Sequence, residues 1–166
     1  MHRSRSEDVP APAGGRLIIR MNSDSGWVRG VAALTEQVGL ALGLDAARAE
    51  GAAAATCEAC LNAIEHGSAG CGAAPDVVVR FEPAEESLTV AVEDGGPLFE
   101  PPASPPRLEQ QLDGSAPIRG WGFALMRGLS DRVEVAPGHA ATGGKAVRLV
   151  FLRPRRAAES KGRSRS

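Results

Sequence analysis

The sequence predicts an α+β fold: a two-layer α/β sandwich, with a mixed sheet carrying three helices on one face. Three observations predict it. Five short runs are apolar or alternating, with β-branched residues prominent. Three longer stretches place apolar residues at helical spacing. Their order along the chain is β-α-α-β-β-loop-α-β-β, strands clustered with three helices, and 166 residues suit one compact domain with tails.

Residues 1–14 are polar and proline-bearing and predict a disordered leader ahead of a domain over 15–152. Arg16 to Met21 (RLIIRM) is the first strand. Ser23 or Asp24 caps a helix to about Leu44, with Val28, Val31, Leu34, Val38 and Leu42 near one face. Asp45 is an N-cap for an alanine-rich second helix through about Glu65, with Cys57, Leu61 and Ile64 as its buried side. The cluster GSAGCGAAP (67–75) breaks the chain before two strands, Asp76–Phe81 and Leu88–Glu93, that form a hairpin around Pro83–Glu86.

Residues 97–118 hold six of the twelve prolines. Proline removes amide donors and blocks helix interiors, so this stretch is a loop. A loop of that length inside a small domain is typically a lid or disordered. Gly122 to about Asp131 resumes helical spacing with Phe123, Leu125, Met126 and Leu129; Arg132–Ala136 and Ala146–Leu152 are closing strands. Residues 153–166 read as a basic, disordered tail, with six basic residues against the single acid Glu159. No internal repeat is present.

Overall net charge is −1, so the basic tail leaves an acidic middle, with no nucleic-acid signature in the whole. Tyr is absent and Phe numbers four, which gives little to stack bases on. Three cysteines, Cys57, Cys60 and Cys71, do not make a secreted disulfide scaffold. Cys57 and Cys60 form a C-x-x-C within a helix, read as small buried thiols rather than a metal or redox pair. No apolar run reaches the roughly 18 residues of a membrane span and no signal peptide is visible, so the expected location is cytoplasmic.

Three motifs carry chemistry. In Glu58-Ala-Cys-Leu-Asn62-Ala-Ile-Glu-His66-Gly67, Glu58, Asn62 and His66 recur every four residues and share a helix face. Asn offers a neutral oxygen to Mg²⁺, and Glu can take a proton from a nucleophile. The alternative is a solvated polar stripe. In Glu93-Asp94-Gly95-Gly96-Pro97-Leu98-Phe99-Glu100-Pro101, a strand-end Asp followed by two glycines can meet a ligand's amino group, with Gly96 letting backbone approach a flat ring. An ordinary Asp-Gly turn is the plain reading. In Arg119-Gly120-Trp121-Gly122-Phe123, two glycines open a helix whose free amides make an anion site, a plain N-terminal turn being the alternative.

The order and spacing of these three motifs resemble the GHKL superfamily of ATPases, in the form seen in the serine/threonine-protein kinases that act as anti-sigma factors. The similarity spans roughly residues 15–152. It implies the Bergerat ATPase fold, and ATP and Mg²⁺ as cofactors. It implies phosphorylation of a STAS-domain anti-sigma-factor antagonist, and a sigma factor as second partner; a homodimer is left open. Neither a direct nucleic-acid partner nor a membrane is implied. By position, Glu58 matches the general base and Asn62 the Mg²⁺ ligand. Asp94 matches the acceptor for the adenine amino group, with Gly96 beside the ring. Gly120 and Gly122 match the phosphate glycines, with Trp121 and Phe123 in the same nucleotide-binding segment; His66 matches a packing position. The family commonly has Gly-Thr before its last strand, where the hydroxyl supports the Asp and a water at adenine. Here Gly143-Gly144-Lys145 stands there, and a lysine cannot copy a hydroxyl's acceptor. Lys145 either pairs with Asp94 or points to solvent with Thr142 substituting. Two other functions stay open: a nucleotide-binding switch or anti-sigma module without kinase activity, and a detached histidine-kinase catalytic domain, disfavoured because no helix with a phospho-acceptor His precedes the motifs.

Overall fold

The computed structural model describes residues 15–22, 24–67, 77–100, 121–139 and 144–153. The expected leader, Gly120, Thr142, Cys71 and most of the expected lid lie outside the described residues. Strands are β1 (Leu17–Met21), β2 (Val77–Pro83), β3 (Ser87–Asp94), β4 (Arg132–Pro137) and β5 (Lys145–Leu152). Helices are α1 (Val28–Ala41), α2 (Ala46–Gly67) and α3 (Trp121–Leu129), with a 3₁₀ turn over Ser25–Trp27 before α1.

Side-chain alternation in the strands builds the core. Val77, Val79 and Phe81, then Leu88, Val90 and Val92, then Val147, Leu149 and Phe151 all join one buried cluster with the helices. Their neighbours point to the opposite face, where Arg80 and Glu93 pair at 2.7 Å. The sandwich of one sheet and one helical layer therefore stands as the sequence predicts.

The sheet order is β1-β2-β3-β5-β4, and every described pairing is antiparallel, not mixed. The reason is topological. After β3, helix α3 carries the chain back so that β4 runs in the direction of β3. The two would make a parallel pair if adjacent, but β5 lies between them and opposes both.

The alanines of α2 also change the predicted packing. Its fully buried face is Ala52, Ala55, Thr56, Ala59, Cys60 and Ala63, while Cys57, Leu61 and Ile64 only flank the core. α2 packs against α1, α3 and the sheet, and small side chains let three neighbours approach one helix. Its start is set by Asp45, whose carboxylate accepts from Arg48 N at 2.9 Å. α1 stops where Gly43 takes φ +92 and Leu44 N returns to Gly39 O at 3.0 Å. Arg153, which the sequence assigned to the tail, is instead fixed to the fold: its Nε donates to Leu42 O at 2.6 Å and its backbone N to Glu86 O at 2.9 Å.

Candidate functional site

Glu58 and Asn62 lie half-buried on α2, one turn apart, facing the first turn of α3. The fit is close: a Cβ on Gly122 would sit 2.8 Å from Glu58 Oε2 and 3.3 Å from Asn62 Nδ2. Glycine at this position leaves the space between the polar pair and the helix start clear. α3 opens there, and the first backbone N–H groups of a helix have no partner within the helix itself, which makes a helix start favourable to anions. A cleft of about 470 Å³ beside it is lined by Glu58, Trp121, Gly122, Ala124 and Leu125. Trp121 is largely exposed at the helix start. Phe123 instead turns into the core, so only its backbone could face a ligand.

The second part of the site is at the end of β3. Asp94 is buried, and its Oδ1 accepts from Gly96 N at 2.7 Å and from Lys145 Nζ at 2.7 Å. Of the two placements open for Lys145, the structure takes the ion pair. Register explains it: Asp94 and Lys145 are direct cross-strand partners at the ends of β3 and β5.

Three glycines pinch this aspartate. A Cβ on Gly67, the last residue of α2, would lie 2.8 Å from Asp94 Cβ. One on Gly96 would lie 2.8 Å from Asp94 Oδ1, and one on Gly144 only 1.8 Å from Asp94 O. α2 thus spans the whole site, with Glu58 and Asn62 along it and Gly67 against Asp94 at its end. Gly67, Gly144 and Phe99 are the residues the sequence reading passed over as site components. Phe99 packs edge-on against Phe123, ring centroids 5.9 Å apart, and its own ring lies 5.7 Å from Lys145 Nζ. The pattern Asp94-x-x-x-x-Phe99 was visible, but nothing local says which ring meets which cation. His66 does not pack: its imidazole is exposed, and its carbonyl is the part that borders Gly96.

The Cys57–Cys60 pair behaves as small thiols of the helix. Both are free, and burial pushes the Cys60 thiol up to about 12, helped by Cys57. Burial also raises Cys57, with the charge of Glu58 adding to it. The unfolded thiol ionises near 9.0 while the folded Cys60 keeps its proton to about 12. Its contribution to stability is therefore whole below 9.0 and is lost as pH rises through that window. At pH 8, site-resolved mass spectrometry after iodoacetamide treatment is expected to find Cys60 unmodified in the native protein and modified after unfolding in urea. Native labelling at the denatured rate would contradict its burial.

Among the described residues no group of three His, Cys, Asp or Glu side chains is set to hold a metal. Mg²⁺ prefers oxygen ligands and keeps several waters, and Asn62 is the residue beside Gly122 that could offer it a neutral oxygen. No described helix is long and apolar enough to cross a membrane. No curated protein matches the chain. The family model of the histidine kinase-like ATPase domain matches residues 21–151, covering α2 with Glu58 and Asn62, the Asp94 turn, the start of α3 and Lys145. The chain belongs to the histidine kinase-like ATPase domain family.

Proposed function

We propose that this chain is a protein serine/threonine kinase and anti-sigma factor. It uses Mg-ATP to phosphorylate a STAS-type anti-sigma-factor antagonist, and holds a sigma factor once that antagonist is phosphorylated. The family supplies ATP binding and a kinase-like ATPase fold. The observation that supports the finer reading is the meeting of Glu58 and Asn62 with the glycine-opened start of α3.

Each residue has one task in this reading. Asp94 accepts a hydrogen bond from the adenine amino group, in a turn where Gly96 keeps the wall flat. The amides of Gly122 and Phe123, with Gly120 and Trp121 ahead of them, bind phosphate oxygens at the positive end of α3. Asn62 holds Mg²⁺, which neutralises charge on the phosphates when bound. Glu58 accepts the proton of the attacking hydroxyl. The remaining rate enhancement comes from positioning and charge neutralisation at the γ-phosphoryl group.

The test is incubation with γ-labelled ATP and purified STAS-domain proteins, followed by mapping of the label. Label on a serine or threonine of one such protein supports the reading. ATP binding without transfer to any of them would favour the other one, a nucleotide-binding switch. That alternative draws on one observation, the Lys145 ammonium bound to Asp94 where the family's hydroxyl would stand.

A further inference from the structure

Among the described residues, little of the bonding capacity of the Asp94–Lys145 pair is used. Their side chains are 1% and 6% exposed, and Lys145 Nζ lies 2.7 Å from Asp94 Oδ1. An ammonium has three donors, yet among the described residues Asp94 is the sole hydrogen-bond acceptor for Nζ. Both donors reaching Asp94 fall on Oδ1, and no described residue donates to Oδ2. Phe99 shields the ammonium from one side, its ring centroid 5.7 Å away, and Gly96 borders it with no side chain of its own. Buried donors and acceptors are normally paired, so unspent capacity on both members points to a ligand that completes them.

The two side chains offer an acceptor beside donors. The Watson–Crick edge of adenine is the complement: the N6 amino group donates, and ring nitrogen N1 next to it accepts. Resting on the ATP reading above, we infer that Lys145 is a base-reading residue that donates a hydrogen bond to adenine N1 while Asp94 accepts from N6. Lysine then replaces the hydroxyl-held water of the family with a direct, charged contact. Pairing with Asp94 fixes the ammonium before nucleotide arrives, so little side-chain freedom remains to be lost on binding.

The test compares ADP with 1-deaza-ADP, in which a C–H stands in place of N1, and with 7-deaza-ADP as a control altered at a different nitrogen. Isothermal calorimetry on the wild-type protein should find 1-deaza-ADP weaker by about tenfold or more, since a buried donor is left unmet, and 7-deaza-ADP close to ADP. Lys145→Met should bind ADP and 1-deaza-ADP equally, both more weakly than the wild type binds ADP. The wild-type comparison needs no variant, so a misfolded Lys145→Met leaves the test intact, and Lys145→Thr serves as the second variant. Equal wild-type affinity for ADP and 1-deaza-ADP overturns the inference and leaves ATP binding standing. A Lys145→Thr protein that binds ADP more tightly than the wild type overturns it too, because the ammonium would then be an obstruction. Wild-type protein that binds no adenine nucleotide at all sinks the ATP reading beneath it.

Discussion

Glu58→Gln leaves Mg-ATP affinity within about twofold of wild type, since the amide keeps the shape and one oxygen of the carboxylate. In the proposed reaction, phosphoryl transfer to the partner serine is expected to fall by about 10²–10⁴, the usual worth of general-base catalysis. The geometry gives this pairing of effects its force. Oε2 of Glu58 faces the start of α3, with only the hydrogen of Gly122 between the carboxylate and that turn. The carboxamide fits the same slot, so binding survives while proton acceptance is lost. Single-turnover transfer measured beside calorimetry separates the two. A Gln variant as fast as wild type would make Glu58 a positioning residue for Asn62 or for metal-bound water.

Asp94→Asn carries the second large effect, on two readouts at once. Adenine-nucleotide affinity falls by more than about tenfold, because an amide donor is set against the N6 donor. Stability falls as well, by about 3 kcal/mol, because the Lys145 ammonium stays buried without its counter-charge. Urea titration with and without ADP reads both. In the double variant with Lys145→Met, stability should recover and nucleotide binding should not, since the uncompensated charge is gone but the adenine contact is still lost. An Asp94→Asn protein as stable as wild type would show that the ammonium leaves its site readily. Full ADP affinity in that variant would count against Asp94 as the base-reading carboxylate.

The parts of this molecule legible in its sequence are those written in local periodicity. Glu58 and Asn62 share a helix face because they are four apart, and α2 bears that out. Asp45 announces the start of α2 through capping chemistry that needs no distant partner, whereas the stop of α1 at Gly43 was passed over and the helix read on to about Leu44. What escaped was set by register and by insertion of strands. Lys145 lies 51 positions from Asp94, and only the β3–β5 ladder decides that it pairs rather than faces solvent. The same ladder decides that the sheet is antiparallel, since β5 separates two strands that run the same way. The buried stripe of α2 was misjudged for a related reason. Apolar size was taken as the sign of burial, whereas a helix with close neighbours on three sides selects for small side chains.

β5 is the last of the five described strands along the chain, yet it sits inside the sheet between β3 and β4. β1, β2 and β3 can zip together as the chain leaves the ribosome, at about 5–20 residues per second. β4 cannot, because among the described strands it pairs with β5 alone. A nascent chain paused before Lys145 therefore shows two raw edges, the free side of β3 and all of β4, and such edges recruit foreign strands. Lys145 opens β5, so the ammonium that pairs with Asp94 arrives only with that strand. Insertion of β5 closes the described sheet and sets Lys145 against Asp94 in one event.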